Sequence, residues 1–361
     1  MGPQRAAVNP FTRLTVDGVT LEGDALLRWA DSLVDRHGDD PEGALALRST
    51  VHELLRGEGL QATTSGTTGP PRRITVPVED LVASARLTGR VFGLNAGDRV
   101  LHCLPGAFVA GKMMLVRAFV LGLDLHVIGA RGSVLAKLGP QHRFRFAAMV
   151  PLQLARALEE DRARVEAQFS TVLLGGGPVS EALEQRVADL RTAVVLGYGS
   201  TETVTHVALR RLNGPEASPL FTAAGDCHFA RDPRGCLVTY TPHLSTFQQV
   251  TNDLVELVDG THFRWLGRHD HVILSRGRKV HPEQLEARTA AVIPEPHYFS
   301  GTPDPLLGQA VVLTIETDRP QQEVVPAVMA RLLHVLHPHE MPRHIRTLPR
   351  LERTVSGKIR R

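Results

Sequence analysis

Through the first two-thirds of the chain, short apolar runs alternate with longer stretches of helical period. Leu14-Thr15-Val16 and Val19-Thr20-Leu21 read as two short strands around an Asp17-Gly18 turn. Asp24 is placed to cap a helix from Ala25 to about Arg36, which Gly38 stops; Leu27, Trp29, Leu33 and Val34 fall near one of its faces. A second helix follows Pro41 and runs to about Leu55, and another spans Pro77 to Val91. Arg99 to Leu104 is a buried strand, Pro105 to Gly111 breaks the pattern, and Lys112 to Leu121 is an apolar helix. Strands follow at Leu125 to Ile128 and Phe146 to Val150, then a helix from Pro151 through Leu158. Thr171 to Leu174 and Ala193 to Leu196 complete the series. Unbroken apolar strands that alternate with helices pair in parallel and are covered on both faces, so this part of the chain is α/β.

From Leu237 onward the pattern turns to β. Leu237 to Tyr240 and Leu254 to Val258 are strands, and Asp259-Gly260 turns the chain into His262 to Leu266. Beyond the short polar Gly267-Arg268-His269-Asp270 comes a small α+β unit. Its expected strands are Val272 to Leu274, Val311 to Ile315 and Arg343 to Leu348; its expected helices are Pro282 to Ala291 and Gln321 to His334. The expected division is a large α/β domain over residues 1–269 and a small α+β domain over 270–361, and a length of 361 residues suits two domains.

Composition narrows the classes. A hydrophobic fraction of 42% and a charged fraction of 22% are those of a soluble globular protein. The formal net charge is +3 and no block of like charges occurs, which points away from nucleic acid and membrane surfaces. The 17 histidines are scattered without metal-ligand spacing. Cys103, Cys227 and Cys236 are odd in number and far apart, as in a reducing compartment. No signal-peptide core and no membrane-length apolar run is found, so a cytoplasmic location is expected.

The candidate chemistry centres on Thr63-Thr64-Ser65-Gly66-Thr67-Thr68-Gly69-Pro70-Pro71-Arg72-Arg73. Glycines let a backbone turn through positive φ and approach a ligand, and successive N–H groups in such a turn cradle anions. Thr64, Ser65, Thr67 and Thr68 add hydroxyl donors around Gly66 and Gly69, and Arg72 adds a fixed cation. Chemically this is a polyphosphate cradle, although the common G-x-x-x-x-G-K-S/T loop is absent; the competing reading is an ordinary surface Ser/Thr/Gly loop. Two further glycine-rich turns follow strands directly: Gly175-Gly176-Gly177-Pro178 and Gly197-Tyr198-Gly199-Ser200-Thr201-Glu202-Thr203. Open α/β sheets bind ligands at the carboxyl ends of their strands.

These stretches, in this order, resemble the adenylate-forming superfamily of acyl-CoA synthetases, luciferases and peptide-synthetase adenylation domains. Thr64 to Gly69 and Pro71 match that family's phosphate loop, with Arg72 in place of a lysine and Arg73 in place of a glycine. Arginine keeps the charge but is a planar fork where lysine is a point charge. The resemblance covers about residues 60–361 and implies the following roles. Gly176, Gly177 and Pro178 would lie along the adenine of ATP, with Tyr198 stacked on it next to Gly199. Thr201 would bond the α-phosphate and Glu202 would hold Mg²⁺. Asp253, in Thr251-Asn252-Asp253, would grip both ribose hydroxyls with help from Arg268, and Asp270 would be the hinge of a mobile lid domain. Lys358, in Thr354-Val355-Ser356-Gly357-Lys358-Ile359, would be the catalytic lysine. The implied reaction is attack of a carboxylate on the α-phosphate of ATP, followed by transfer of the acyl group to the thiol of coenzyme A.

Within the family the resemblance is closest to o-succinylbenzoate–CoA ligases of menaquinone biosynthesis. It is carried by residues 110–118, 201–210 and 252–257. Such a substrate has two carboxylates and a ring, so the one left unreacted needs a polar partner. Lys112, Thr205 and His206 are the candidates, while Phe108 and Ser200 stand where many relatives have histidine and methionine and would shape the acyl pocket. Two other readings stand beside this one. One is activation of another aryl or alkyl acid, passed to CoA or to an acyl carrier protein in trans. The other is a non-catalytic nucleotide- or acyl-binding protein, against which Glu202, Asp253, Arg268 and Lys358 speak. Oligomeric state is not legible.

Overall fold

A computed structural model describes residues 9–63, 72–353 and 359–361. Among these residues the main element is a 13-stranded sheet. Its centre is parallel, in the spatial order Arg13–Val16, Asp124–Val127, Arg99–His102, Phe144–Met149, Phe169–Leu174, Ala193–Gly199. Val100, Leu101, Phe146, Val172 and Val194 have no exposed surface, the signature of strands covered on both faces. The α/β expectation therefore holds. Beyond Ala193–Gly199 the sheet continues antiparallel through His206–Arg211, Phe221–Ala223, His262–Arg268, Gln248–Leu257, Cys236–Tyr240 and His228–Arg231. Several of these flanking strands had no apolar run to announce them.

Helices Val78–Phe92 and Val109–Leu121 pack closely, and a Cβ on Gly89 would stand 3.0 Å from the Leu121 side chain. The second helix begins at Val109, not at Lys112 as expected. Gly111 is a close-approach residue and not a helix break: a Cβ there would meet the Pro105 carbonyl oxygen at 2.4 Å. The helix expected to end at Leu158 reaches Gln168 across an interruption at Asp161, whose carboxylate accepts from the Arg164 amide at 2.9 Å and restarts it. Leu60–Thr63 pairs antiparallel with Arg73–Val76. These two strands flank residues 64–71, which lie outside the described residues.

From Ile273 the chain builds a second, five-stranded sheet and a separate apolar core that includes Phe299, Leu313, Leu332 and Ile345. Gly308–Glu316 is its centre, with His344–Leu348 parallel to it, and Pro282–Thr289 and Gln321–Leu332 are its helices. Among the described residues no helix is long and apolar enough to cross a membrane.

Candidate functional site

The central site is built where the last parallel strand, Ala193–Gly199, ends. Tyr198 donates its hydroxyl to Asp253 Oδ2 at 2.6 Å, and Trp265 donates Nε1–H to Asp253 Oδ1 at 3.2 Å. The Asp253 amide donates to Thr251 Oγ1 at 3.0 Å, and that hydroxyl donates to the Leu237 carbonyl at 2.9 Å. Burial first, and then the Asp253 charge, push the Tyr198 hydroxyl well above its ordinary pKa of 10. It therefore stays a donor throughout the neutral range.

Sequence reasoning missed Trp265, and a β-bulge explains why. Asp253 pairs with Arg268 and Leu254 with Gly267, but Val255 pairs with Trp265, so Leu266 is an extra residue. Side chains alternate along a strand, and one inserted residue reverses the faces beyond it. Without the bulge Trp265 would face away from Asp253. Gly267 carries the kink with φ +135°, and a Cβ there would stand 2.7 Å from Glu283 Oε2.

Arg268 opposes Asp253 in register, but its guanidinium is bound bidentately to Asp270, Nε to Oδ1 and Nη2 to Oδ2, both at 2.9 Å. Burial works against both charges, yet their pairing wins: the pKa of Arg268 is raised and that of Asp270 is lowered. The candidate ribose cation and the candidate hinge are thus one unit. Close by, His271 Nδ1 lies 2.5 Å from Glu283 Oε1.

The turn after Gly199 is tight. The Ser200 amide donates to Thr203 Oγ1 at 2.8 Å, and the Thr203 hydroxyl lies within reach of the Ser200 and Thr205 carbonyls. A Cβ on Gly199 would be 2.0 Å from the Thr205 carbonyl oxygen, so only glycine fits there. Val204 is held at φ +63°, a costly conformation for a β-branched residue that persists only when its surroundings enforce it. Thr201 is half-buried and Glu202 is exposed. Among the described residues neither side chain has a hydrogen-bond partner.

Other candidates fall nearby or elsewhere. Gly176, at φ +77°, lies with Gly177 and Pro178 in an open turn at the end of Phe169–Leu174. Ser200 Oγ is 3.4 Å from Gln249 Oε1. Phe108 is half-buried at the start of helix Val109–Leu121. Lys112 donates Nζ–H to the Gln61 carbonyl at 2.6 Å and is 8% exposed; burial lowers its pKa. That bond ties the helix to the strand entering residues 64–71. Thr205 Oγ1 accepts from Arg117, a residue to which sequence reasoning gave no role, and lies 3.2 Å from His206 Nδ1. Arg72 is exposed and has a partner. Thr64, Ser65, Gly66, Thr67, Thr68, Gly69 and Lys358 lie outside the described residues.

Comparison with known proteins gives the family and the fold. The model of the AMP-binding enzyme family matches residues 62–225. The chain is 30% identical over 362 residues to the probable 2-succinylbenzoate–CoA ligase of Mycobacterium tuberculosis, covering 90% of each. It is 23% identical over 324 residues to the 2-succinylbenzoate–CoA ligase of Oceanobacillus iheyensis, covering 82% of this chain and 67% of that one. A crystal structure of an acyl-CoA synthetase (AMP-forming)/AMP-acid ligase II-like protein from Dyadobacter fermentans matches at 38% identity and TM-score 0.59, covering 88% and 91% of the two chains. The o-succinylbenzoate CoA synthetase of Bacillus subtilis, solved with its acyl-adenylate intermediate, shares the fold at TM-score 0.77 and 18% identity over 97% and 96%.

Proposed function

The chain belongs to the AMP-binding enzyme family and is an AMP-forming acid–CoA ligase; on that premise we propose that its acid is 2-succinylbenzoate. The observation that carries the substrate is the relative of that name, matched at 30% identity over 90% of both chains. The reaction has two halves. A carboxylate oxygen bonds to the α-phosphorus of ATP as the bond to pyrophosphate breaks, giving an acyl-adenylate. The thiolate of coenzyme A then attacks the acyl carbon and AMP leaves.

Asp253 is the proposed ribose ligand. Each carboxylate oxygen has about two lone-pair sites; Tyr198 and Trp265 take one on each oxygen. One acceptor site per oxygen is left, the number two neighbouring ribose hydroxyls need. Glu202 is the proposed carboxylate for Mg²⁺. It is exposed at the carboxyl end of the sheet, and among the described residues no three metal-ligating side chains cluster. It therefore suits a hard cation that brings most of its shell as water and phosphate oxygens. Such an ion would supply charge to the phosphoryl oxygens, where catalysis of this chemistry is mostly electrostatic.

Thr201 is the proposed donor to the α-phosphate and Lys358 the proposed catalytic cation. Residues 1–269 and 270–361 are the proposed domains, with Asp270 as hinge. Pyrophosphate release over a panel of aryl and alkyl acids, with and without coenzyme A, tests the reading. Highest kcat/KM for 2-succinylbenzoate together with formation of its CoA thioester is expected. A better acid in the panel overturns the substrate, and thioester formed only on a carrier protein overturns the acceptor.

A further inference from the structure

Asp253 stands at the end of an irregular segment of its strand. Between the pairs Cys236–Leu254 and Val238–Val250, one strand has Leu237 alone and the other has Thr251, Asn252 and Asp253. On the opposite side, pairing with His262–Arg268 ends at Asp253. Thr251 and Asn252 therefore have no ladder partner on either side. Residues bulged out of a sheet keep backbone groups that must be satisfied in another way. The Thr251 hydroxyl meets one part of that need: it donates to the Leu237 carbonyl and accepts from the Asp253 amide. The other part is met from a different turn, by Arg234.

Arg234 lies between the strands His228–Arg231 and Cys236–Tyr240. Asp232 shapes that turn. Its Oδ1 accepts from the Arg234 and Cys236 amides, both at 2.9 Å, and its Oδ2 accepts from Arg234 Nε at 2.7 Å. A guanidinium is a planar fork, so holding Nε sets the direction of the other two nitrogens. Nη1 donates to Asn252 Oδ1 at 3.0 Å, and Nη2 donates to the Thr251 carbonyl at 3.1 Å. One side chain thus bonds both residues that immediately precede Asp253. Tyr198 and Trp265 fix the Asp253 carboxylate; Arg234 fixes the backbone that leads to it. The Arg234 side chain is 43% exposed, and an exposed ion pair is worth little to the stability of a fold. Yet all three of its nitrogens are committed, two of them to the bulge.

We propose that Arg234, fixed by Asp232, is a positioning residue for nucleotide binding: it holds Thr251 and Asn252 so that Asp253 meets the ribose with both oxygens aimed. The inference rests on the reading of Asp253 as the ribose ligand. Small displacements count in such a site, whose groups have to be held to within about 0.5 Å.

The test is a set of ATP dissociation constants measured by calorimetry for wild type, Arg234→Met, Arg234→Lys and Asn252→Gly, with Arg234→Met measured again in an Asp253→Asn background. Arg234→Met should weaken ATP by about 3- to 10-fold, within the range for residues coupled in one network, and move the melting temperature by no more than a degree or two. Arg234→Lys keeps the charge without the fork and should recover only part of the loss. Asn252→Gly removes one acceptor and no charge, and should show a smaller loss in the same direction. In the Asp253→Asn background, Arg234→Met should change the constant by less than about twofold, because the group it positions is gone. An equal loss in both backgrounds would mean that Arg234 acts on the fold or through its charge, and would overturn the proposal. Full recovery in Arg234→Lys, or no loss in Arg234→Met, overturns it as well. If Asp253→Asn alone binds ATP within threefold of wild type, the ribose reading fails and the proposal falls with it. If Asp253 matters and Arg234 does not, the proposal fails alone.

Discussion

Replacing Asp253 with asparagine isolates the proposed ribose contact from the fold around it. The carboxylate accepts from Tyr198 at 2.6 Å and from Trp265 at 3.2 Å. An amide has one acceptor oxygen and one NH₂ donor group. Its oxygen can keep the bond from Trp265, and its NH₂ can donate to the Tyr198 oxygen, so the local network survives in rewired form. The stability cost should stay near ~1 kcal/mol, the net worth of one ordinary hydrogen bond. Nucleotide binding should suffer more. One ribose hydroxyl loses its acceptor and the other meets a neutral oxygen in place of a charged one. With charged hydrogen bonds at about 1.5–3 kcal/mol each, the loss is about 3 kcal/mol, or roughly 100-fold in Kd.

Binding is best read at equilibrium, because KM reports affinity only when chemistry is slow. The protein has 2 tryptophans, and Trp265 touches the altered side chain, so its fluorescence follows an ATP titration directly. Alkaline titration of the 3 tyrosines gives a second handle. Tyr198 should ionise more easily once the neighbouring charge is gone, yet still above 10 because burial is the larger cause. A folded Asp253→Asn protein that binds ATP within threefold of wild type would remove Asp253 from the nucleotide site. Trp265→Phe, followed by calorimetry, should weaken ATP by only about fivefold, since it removes one long bond that orients the carboxylate.

Three other outcomes are expected. Glu202→Gln should abolish ATP-dependent pyrophosphate release and leave the melting temperature within a degree or two, because an exposed side chain shifts stability by no more than about 0.5 kcal/mol; near-normal release at millimolar Mg²⁺ refutes its role. Lys358→Ala should lower adenylation by about 10²-fold or more and spare thioester formation from synthetic acyl-adenylate; equal loss in both assays contradicts a lysine that acts in one half-reaction only. His102 is wholly buried, and burial pulls its pKa from 6.5 to about 4. The unfolded chain therefore takes a proton below 6.5 that the native state refuses until about pH 4. Its contribution is complete above that upper value and drains away as pH falls, by about 3 kcal/mol. Urea unfolding of wild type and His102→Gln from pH 7.5 to 4.5 should show a steeper acid loss in wild type, and parallel curves would exclude it.

What could be read from the chain beforehand follows from where burial is symmetrical. Val100-Leu101 and Val172-Leu173-Leu174, within strands Arg99–His102 and Phe169–Leu174, are buried on both faces of the sheet and so announce themselves as apolar runs. His206–Arg211 carries its arginines at its half-buried end, and His228–Arg231 has its polar residues at exposed positions, so both looked like connections. Gly111 read as a stop because glycine disfavours helices; its real constraint is the Pro105 backbone pressed against it, a tertiary contact with no local signal. Asp253 and Arg268 were legible through their motifs, and they do stand opposite each other. Trp265 was not, since its side of the sheet depends on the bulge at Leu266. Arg117 did leave a trace: in a helix that is apolar on every face, any cation must be internal.

The polar run Ser200 to His206 could not be ranked by composition, but hydrogen bonding ranks it. Ser200 and Thr203 bond each other and fix the turn. Thr205 is committed to Arg117 and His206. Val204 accepts a left-handed backbone so that the chain can reverse within these few residues, and Gly199 gives the Thr205 carbonyl its room. Thr201 and Glu202 alone in the turn have polar side chains that hold nothing in place among the described residues. A turn stabilised by its other hydroxyls can present two uncommitted oxygen-bearing side chains at the carboxyl edge of a parallel sheet without collapsing onto them. On the proposed reading of this turn as the nucleotide site, the strain at Val204 and the hydroxyls used up around it are what keep Thr201 and Glu202 available to a ligand, the form preorganisation takes in a site built on backbone as much as on side chains.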